Sequence, residues 1–195
     1  MQVTLENTFT VDQPIERVWA FLSDPHKIAT CMPGAEILEV LDDKTYRGAV
    51  KLKLGPFSAQ FQGDLVIERL DAAAREMRMV GKGKDTKGTG SATMTITGKL
   101  SAQPGGGTQM ISQSDLVISG KMAQFGARMI EDVSKSMFSK FTAALTERLA
   151  AEAGGVQIPA APQADAISVS ELAKTVVKGA VGRLFGGGGK GGSGA

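Results

Sequence analysis

Residues 121–151 read KMAQFGARMIEDVSKSMFSKFTAALTERLAA. Met122, Phe125, Met129, Val133, Met137, Phe141, Leu145 and Leu149 recur at steps of three and four, while Lys121, Arg128, Glu131, Asp132, Lys135, Lys140 and Arg148 mostly take the other side. That spacing predicts one amphipathic helix over 121–151. It is far longer than an average helix, so its apolar stripe needs an extended, curved surface to cover it. A six- or seven-stranded sheet wrapped around the helix would supply that surface.

The residues upstream read as such a sheet. From 35 to about 119 turn residues recur at regular intervals: Asp42-Asp43, Gly55-Pro56, Asp71-Ala72, Asp85 to Gly90 and Pro104 to Gly107. Strands between closely spaced turns predict an antiparallel meander. Phe57, Phe61, Leu65 and Ile67 share one face of their strand, as do Met77 with Met79, and Met94 with Ile96 and Leu100. Residues 2–12 alternate, with Val3, Leu5, Phe9 and Val11 on one side, which predicts a half-buried first strand. Two short helices follow. Asp12 and Pro14 suit the start of the first, and Ser23-Asp24-Pro25 and Pro33-Gly34 bound the second. The fold class is α+β, with a single domain over 1–153.

Beyond it, residues 154–167 (GGVQIPAAPQADAI) read as a flexible linker. Ser168 and Glu171 match a capping box opening a helix over 168–185. Leu172, Val176, Val177 and Leu184 fill one broad face of that helix, and Lys174 and Lys178 lie opposite. Val181 and Phe185 lean toward the polar side and Arg183 sits at the edge. Gly179 and Gly182 weaken the helix by roughly 1 kcal/mol each relative to Ala. A segment of this kind is expected to form on an anionic membrane surface, through these nine residues; packing back on its own domain and docking in a partner's groove are the alternatives. Residues 186–195 are a Gly-rich tail.

Charge supports the division. The chain carries a net +2, and from Gly154 onward Lys174, Lys178, Arg183 and Lys190 stand against Asp165 and Glu171, so the first 153 residues balance. A neutral domain argues against nucleic acid as a partner. No stretch of about 20 apolar residues is present, and the N-terminus lacks the basic and apolar runs of a secretory leader. The expected location is the cytoplasm, with peripheral contact to the inner face of the cytoplasmic membrane. One cysteine and one histidine exclude an intrachain disulfide and a cysteine-based zinc site.

Pro14, Val18 and Trp19, DPHKIATCMPGA (24–35), GPFSAQFQGDLVI (55–67), GKGKDTKGTGSATMTI (81–96) and ISGKMAQFGARMI (118–130) together resemble the CoxG family, the G subunits of carbon monoxide dehydrogenase, within the START-like helix-grip superfamily (SRPBCC, Bet v 1-like). The resemblance covers about residues 1–150. It implies an accessory protein that links a carbon monoxide dehydrogenase-type molybdenum hydroxylase to the cytoplasmic membrane, with an apolar cavity between sheet and helix.

Phe57, Phe61, Met77, Met79, Met94, Met122, Phe125, Met129 and Val133 are the expected cavity wall. Flexible methionines suit an isoprenoid or acyl chain, so a quinone or lipid is the expected ligand, and no catalytic cofactor or metal is expected. A soluble lipid or quinone carrier is the alternative. An enzyme of cyclase or hydrolase type would need an inward titratable group, for which Tyr46, Asp64, Asp115 and His26 are the candidates. His26 and Cys31, five residues apart in a short helix, are poorly placed to form a nucleophile pair. Gly83 and Gly88 have the spacing of a phosphate loop, but Thr89 stands where that loop needs Lys. The segment reads instead as a hairpin with Lys82, Lys84 and Lys87 at its tip beside Asp85, placed to dock a partner or to gate the cavity mouth.

Overall fold

The computed structural model describes residues 1–54, 57–154 and 167–168, with Leu54, Phe57, Ile167 and Ser168 as backbone only. In chain order the elements are β1 (Gln2–Val11), α1 (Ile15–Leu22), α2 (Pro25–Cys31), β2 (Ala35–Val40), β3 (Thr45–Leu54), β4 (Phe57–Asp71), β5 (Glu76–Asp85), β6 (Ser91–Ala102), β7 (Thr108–Ile118), a 3₁₀ turn (Gly120–Phe125), α3 (Ala127–Ala153) and β8 (Ile167–Ser168). The sheet runs β1-β7-β6-β5-β4-β3-β2, antiparallel throughout. Strands joined by short turns are neighbours, as a meander requires, and β1 closes on β7.

Local chemistry accounts for the element ends. Asp24 caps α2, its Oδ1 accepting from the His26 backbone N–H at 2.9 Å and that of Lys27 at 3.4 Å, with Pro25 in the first turn. The start of α1 differs from expectation. Pro14 itself stands at the N-cap, and no side chain caps the helix. Gly34 has φ 77°, and a Cβ there would overlap the Lys51 carbonyl oxygen. Only glycine turns the chain out of α2 and lets it run against β3, where the Lys51 N–H donates to the Gly34 carbonyl at 2.9 Å.

The helix expected over 121–151 is interrupted. Gly126 has φ 81° and ψ 157°, a region essentially reserved for glycine, and it separates the 3₁₀ turn from α3. Met122 and Phe125 keep their helical spacing in sequence but belong to the turn, not to the long helix.

The core falls into two clusters. One gathers Val11, Val18, Trp19, Phe21, Leu22, Cys31, Ile67, Met77, Met79, Leu100 and Met110 with Phe141, Leu145 and Leu149 of α3. The other gathers Val3, Ala59, Phe61, Ile118 and Met122 with Ile130 and Val133. The two ends of α3 therefore seat on different clusters, and the strand it approaches most closely is β1. Lys27 Nζ reaches Glu152 Oε1 at 2.9 Å and ties α2 to the end of α3.

At the β3 edge, β2 pairs only as far as Ala35 opposite Val50. Ile167 and Ser168 pair in parallel with Leu52 and Lys53 just beyond. The rest of the expected linker, the helix over 168–185 and the tail lie outside the described residues.

Candidate functional site: the concave face of the sheet

Ladder partners point to the same side, so the register assigns the inner rows. One row runs Tyr46, Leu65, Gly81, Met94, Leu116, Val3; the next runs Ile67, Met79, Ile96, Ser114, Leu5; a third runs Met77, Gly98, Ser112, Asn7. The ends of this face are sealed by the two clusters. The middle is not, since Gly81, Met94, Ile96, Ser114 and Asn7 belong to neither cluster and are all half-buried although they face inward. Inward residues that still meet open space outline a cleft between the sheet and α3.

The nine expected wall residues are distributed unevenly around it. Met77 and Met79 belong to the cluster under α1 and the far half of α3. Phe61, Met122 and Val133 are buried in the other cluster, with Phe125 and Met129 packed against it. Met94 is half-buried on the open stretch between. Phe57 lies at the start of β4 with its side chain outside the described residues. Leu5 and Ile96, on the inward faces the alternation predicts, also face the cleft, as do Gly81, Asn7, Ser112 and Ser114, for which the sequence raised no expectation. Their signal was a pair of serines interrupting the apolar row Met110, Leu116, Ile118.

The expected inward titratable groups are corrected at two positions. Asp64 pairs in register with Arg47 and Lys82 on the convex face, and Arg47 Nε donates to it at 3.0 Å. Asp115 is convex as well and accepts from Thr4 Oγ1 at 2.7 Å. Tyr46 is half-buried, with its hydroxyl 3.5 Å from the Asp43 carbonyl it donates to. His26 is exposed and stands edge-on to the Tyr46 ring. Cys31 is 2% exposed; burial pushes its thiol up, against a smaller opposing pull from the Thr30 hydroxyl and Arg148. A raised, buried thiol is a poor nucleophile. Among the described residues no three His, Cys, Asp or Glu side chains gather as metal ligands.

Lys82, Lys84 and Lys87 are exposed at one end of β5 and in the following turn, and none forms an ion pair among the described residues. Asp85 is not beside them in solvent, as the sequence suggested. It is 5% exposed, and its carboxylate accepts from Thr89 Oγ1 at 2.6 Å, from the Thr89 N–H at 3.1 Å and from the Gln60 N–H at 3.2 Å. The Thr89 hydroxyl first, then backbone donors of Thr89, Gln60 and Lys87, hold its pKa below the ordinary carboxylate value against the cost of desolvation. Asp85 therefore pins the turn that carries the lysines. A shallow cleft of about 340 Å³ lies next to it, bordered by Arg47, Gln62, Gly63, Asp64, Lys84, Asp85 and Thr86. Of the expected residues, Lys84 and the titratable candidate Asp64 border this cleft.

Residues 8–150 match the CoxG family, described as the G subunit of carbon monoxide dehydrogenase. The chain belongs to that family. CoxG is a family of accessory subunits, and the fold of this member is START-like. A conserved protein from Geobacillus kaustophilus superposes with a TM-score of 0.70 at 19% identity, covering 76% of this chain and 95% of its own. The Zhui aromatase/cyclase from Streptomyces sp. R1128 gives 0.59 at 17% identity, covering 78% and 96%. A START superfamily protein from Mycobacterium smegmatis gives 0.55 at 13% identity, covering 75% and 97%. At these identities the likeness concerns the fold. No curated protein matches the chain. Among the described residues of this CoxG-family protein, no helix is long and apolar enough to cross a membrane.

Proposed function

We propose that this CoxG-family protein binds an apolar ligand, a quinone or another lipid, in the concave cleft and recruits a carbon monoxide dehydrogenase-type molybdenum hydroxylase to the cytoplasmic membrane without catalysing a reaction itself. The observation that carries the reading is the unfilled middle of the concave face, where inward apolar residues such as Met94 and Ile96 remain half-buried between two sealed clusters. Methionine-rich walls adapt to chains of varied shape.

The second half of the reading draws on one end of the molecule. The turn holding Lys87 lies at the same end as the β3–β4 connection, since the Thr86 N–H donates to the Gln60 carbonyl, and Lys121 joins it through its N–H to the Thr89 carbonyl. Ile167 and Ser168 pair at Leu52 and Lys53 at this same end. The segment with Lys174, Lys178 and Arg183 therefore departs from an already basic end of the domain. Leu172, Val176, Val177, Val181, Leu184 and Phe185 would enter the headgroup boundary.

Two measurements test this. Mass spectrometry of lipid extracted from the purified protein is expected to find a quinone or other lipid; an empty extract and no binding of added quinone would refute the ligand. Vesicle flotation is expected to carry the full chain with anionic lipid and not with neutral lipid. A V176E/V177E variant should stay in the dense fraction, and equal flotation of both proteins would remove the membrane role.

A further inference from the structure

Buried polar side chains in folded proteins almost always find a hydrogen-bond partner, so a set of them without one asks for an explanation. Ser112 is one such side chain, and half-buried Asn7 and Ser114 stand beside it without a partner among the described residues. Asn7 is the ladder partner of Ser112, Ser114 lies two residues further along β7, and all three point into the cleft. Ser112 is 4% exposed. None of the three side chains makes a hydrogen bond among the described residues. Thr108, on the same inward face of β7, shows the usual outcome: fully buried, it donates to the Gln13 carbonyl at 2.7 Å. The Ser112 hydroxyl is also not sealed off, because Ser23 Oγ is the one fully enclosed side-chain oxygen without a partner among the described residues. It opens onto the cleft.

We propose that Asn7, Ser112 and Ser114 are a polar subsite that receives the uncharged, oxygen-bearing head of the apolar ligand. An amide and two hydroxyls offer several donors and acceptors, enough to hold a carbonyl or hydroxyl oxygen. Among the described residues the inner rows of β1, β7, β6 and β5 carry no lysine, arginine or histidine. On the sheet side a carboxylate or phosphate head would meet no counter-charge, and its desolvation there is unfavourable. The site thus selects ketones, quinones and alcohols over fatty acids and phospholipids. Apolar residues flank it on both sides, Leu5 and Leu116 toward one cluster and Phe9 and Met110 toward the other, leaving room for a chain to run along the cleft.

The proposal rests on the ligand-binding reading above, and equilibrium dialysis of the full chain at pH 8 separates the two. Four probes are used: 2-decanone, 1-decanol, decanoate and decane. The wild type is expected to bind 2-decanone and 1-decanol about tenfold more tightly than decanoate or decane. N7L/S112A should lose most of that tenfold preference while keeping its affinity for decane. Decanoate binding as tightly as 2-decanone, or an unchanged preference in the variant, would overturn the subsite and leave the cleft standing. Binding of none of the four would overturn the ligand reading itself. If N7L/S112A loses its circular dichroism signal, S114A at the half-exposed position reads the same preference.

Discussion

Leu145 and Asp85 show how single residues hold opposite ends of this protein. Leu145 is fully buried in the cluster under α1 and α2. Leu145→Ala is expected to cost about 2–5 kcal/mol in urea unfolding, through lost transfer energy and the cavity left behind. Asp85 works by hydrogen bonding. Its pKa is lower in the fold than in the unfolded chain, so its contribution is complete above the ordinary carboxylate value and fades as pH falls through the folded value. Asp85→Asn should therefore be destabilising at pH 7, and the gap to wild type should close as unfolding is measured at pH values below about 4. A gap independent of pH would mean the carboxylate charge is irrelevant. The sequence could not announce this role, because the partners that bury Asp85 come from Gln60 on another strand and from the return of the chain at Thr89.

At the scale of elements, turns were the most legible feature. Asp, Gly and Pro mark the ends of β2 through β7 because each serves a local backbone need that requires no tertiary contact. The break at Gly126 was not legible. A glycine inside an apolar periodic run costs a helix only about 1 kcal/mol, so periodicity on both sides of it outweighs the signal. What ends the run is that Met122 is buried with Val3 and Ile118 at the sheet's end, which a continuous helix need not allow. Gly126→Ala should cost about 1–3 kcal/mol, read by thermal or chemical unfolding, since Ala is strained at φ 81° and ψ 157°. A neutral substitution would show that the helix can continue through this position.

For the whole molecule, charge is neutral in sum and uneven in place. Lys82, Lys84, Lys87 and Lys121 gather at one end, where the chain also returns as β8. If that end meets the hydroxylase, K82E/K84E/K87E in the full chain should weaken co-purification with the enzyme, and wild-type binding should fall with rising salt as exposed charges are screened. Salt-independent binding unaffected by the triple variant would place the contact elsewhere.

Periodicity and turn chemistry are local properties, and they determined the strand order of the meander, the long helix and the apolar character of the concave face. Which residues of that face are sealed and which border the cleft depended on α3 seating its two ends on separate clusters. The convex placement of Asp64 and Asp115, and the meeting of Asn7 with Ser112 across more than a hundred residues, followed from strand register. Register is set by the joint burial of every inward side chain at once.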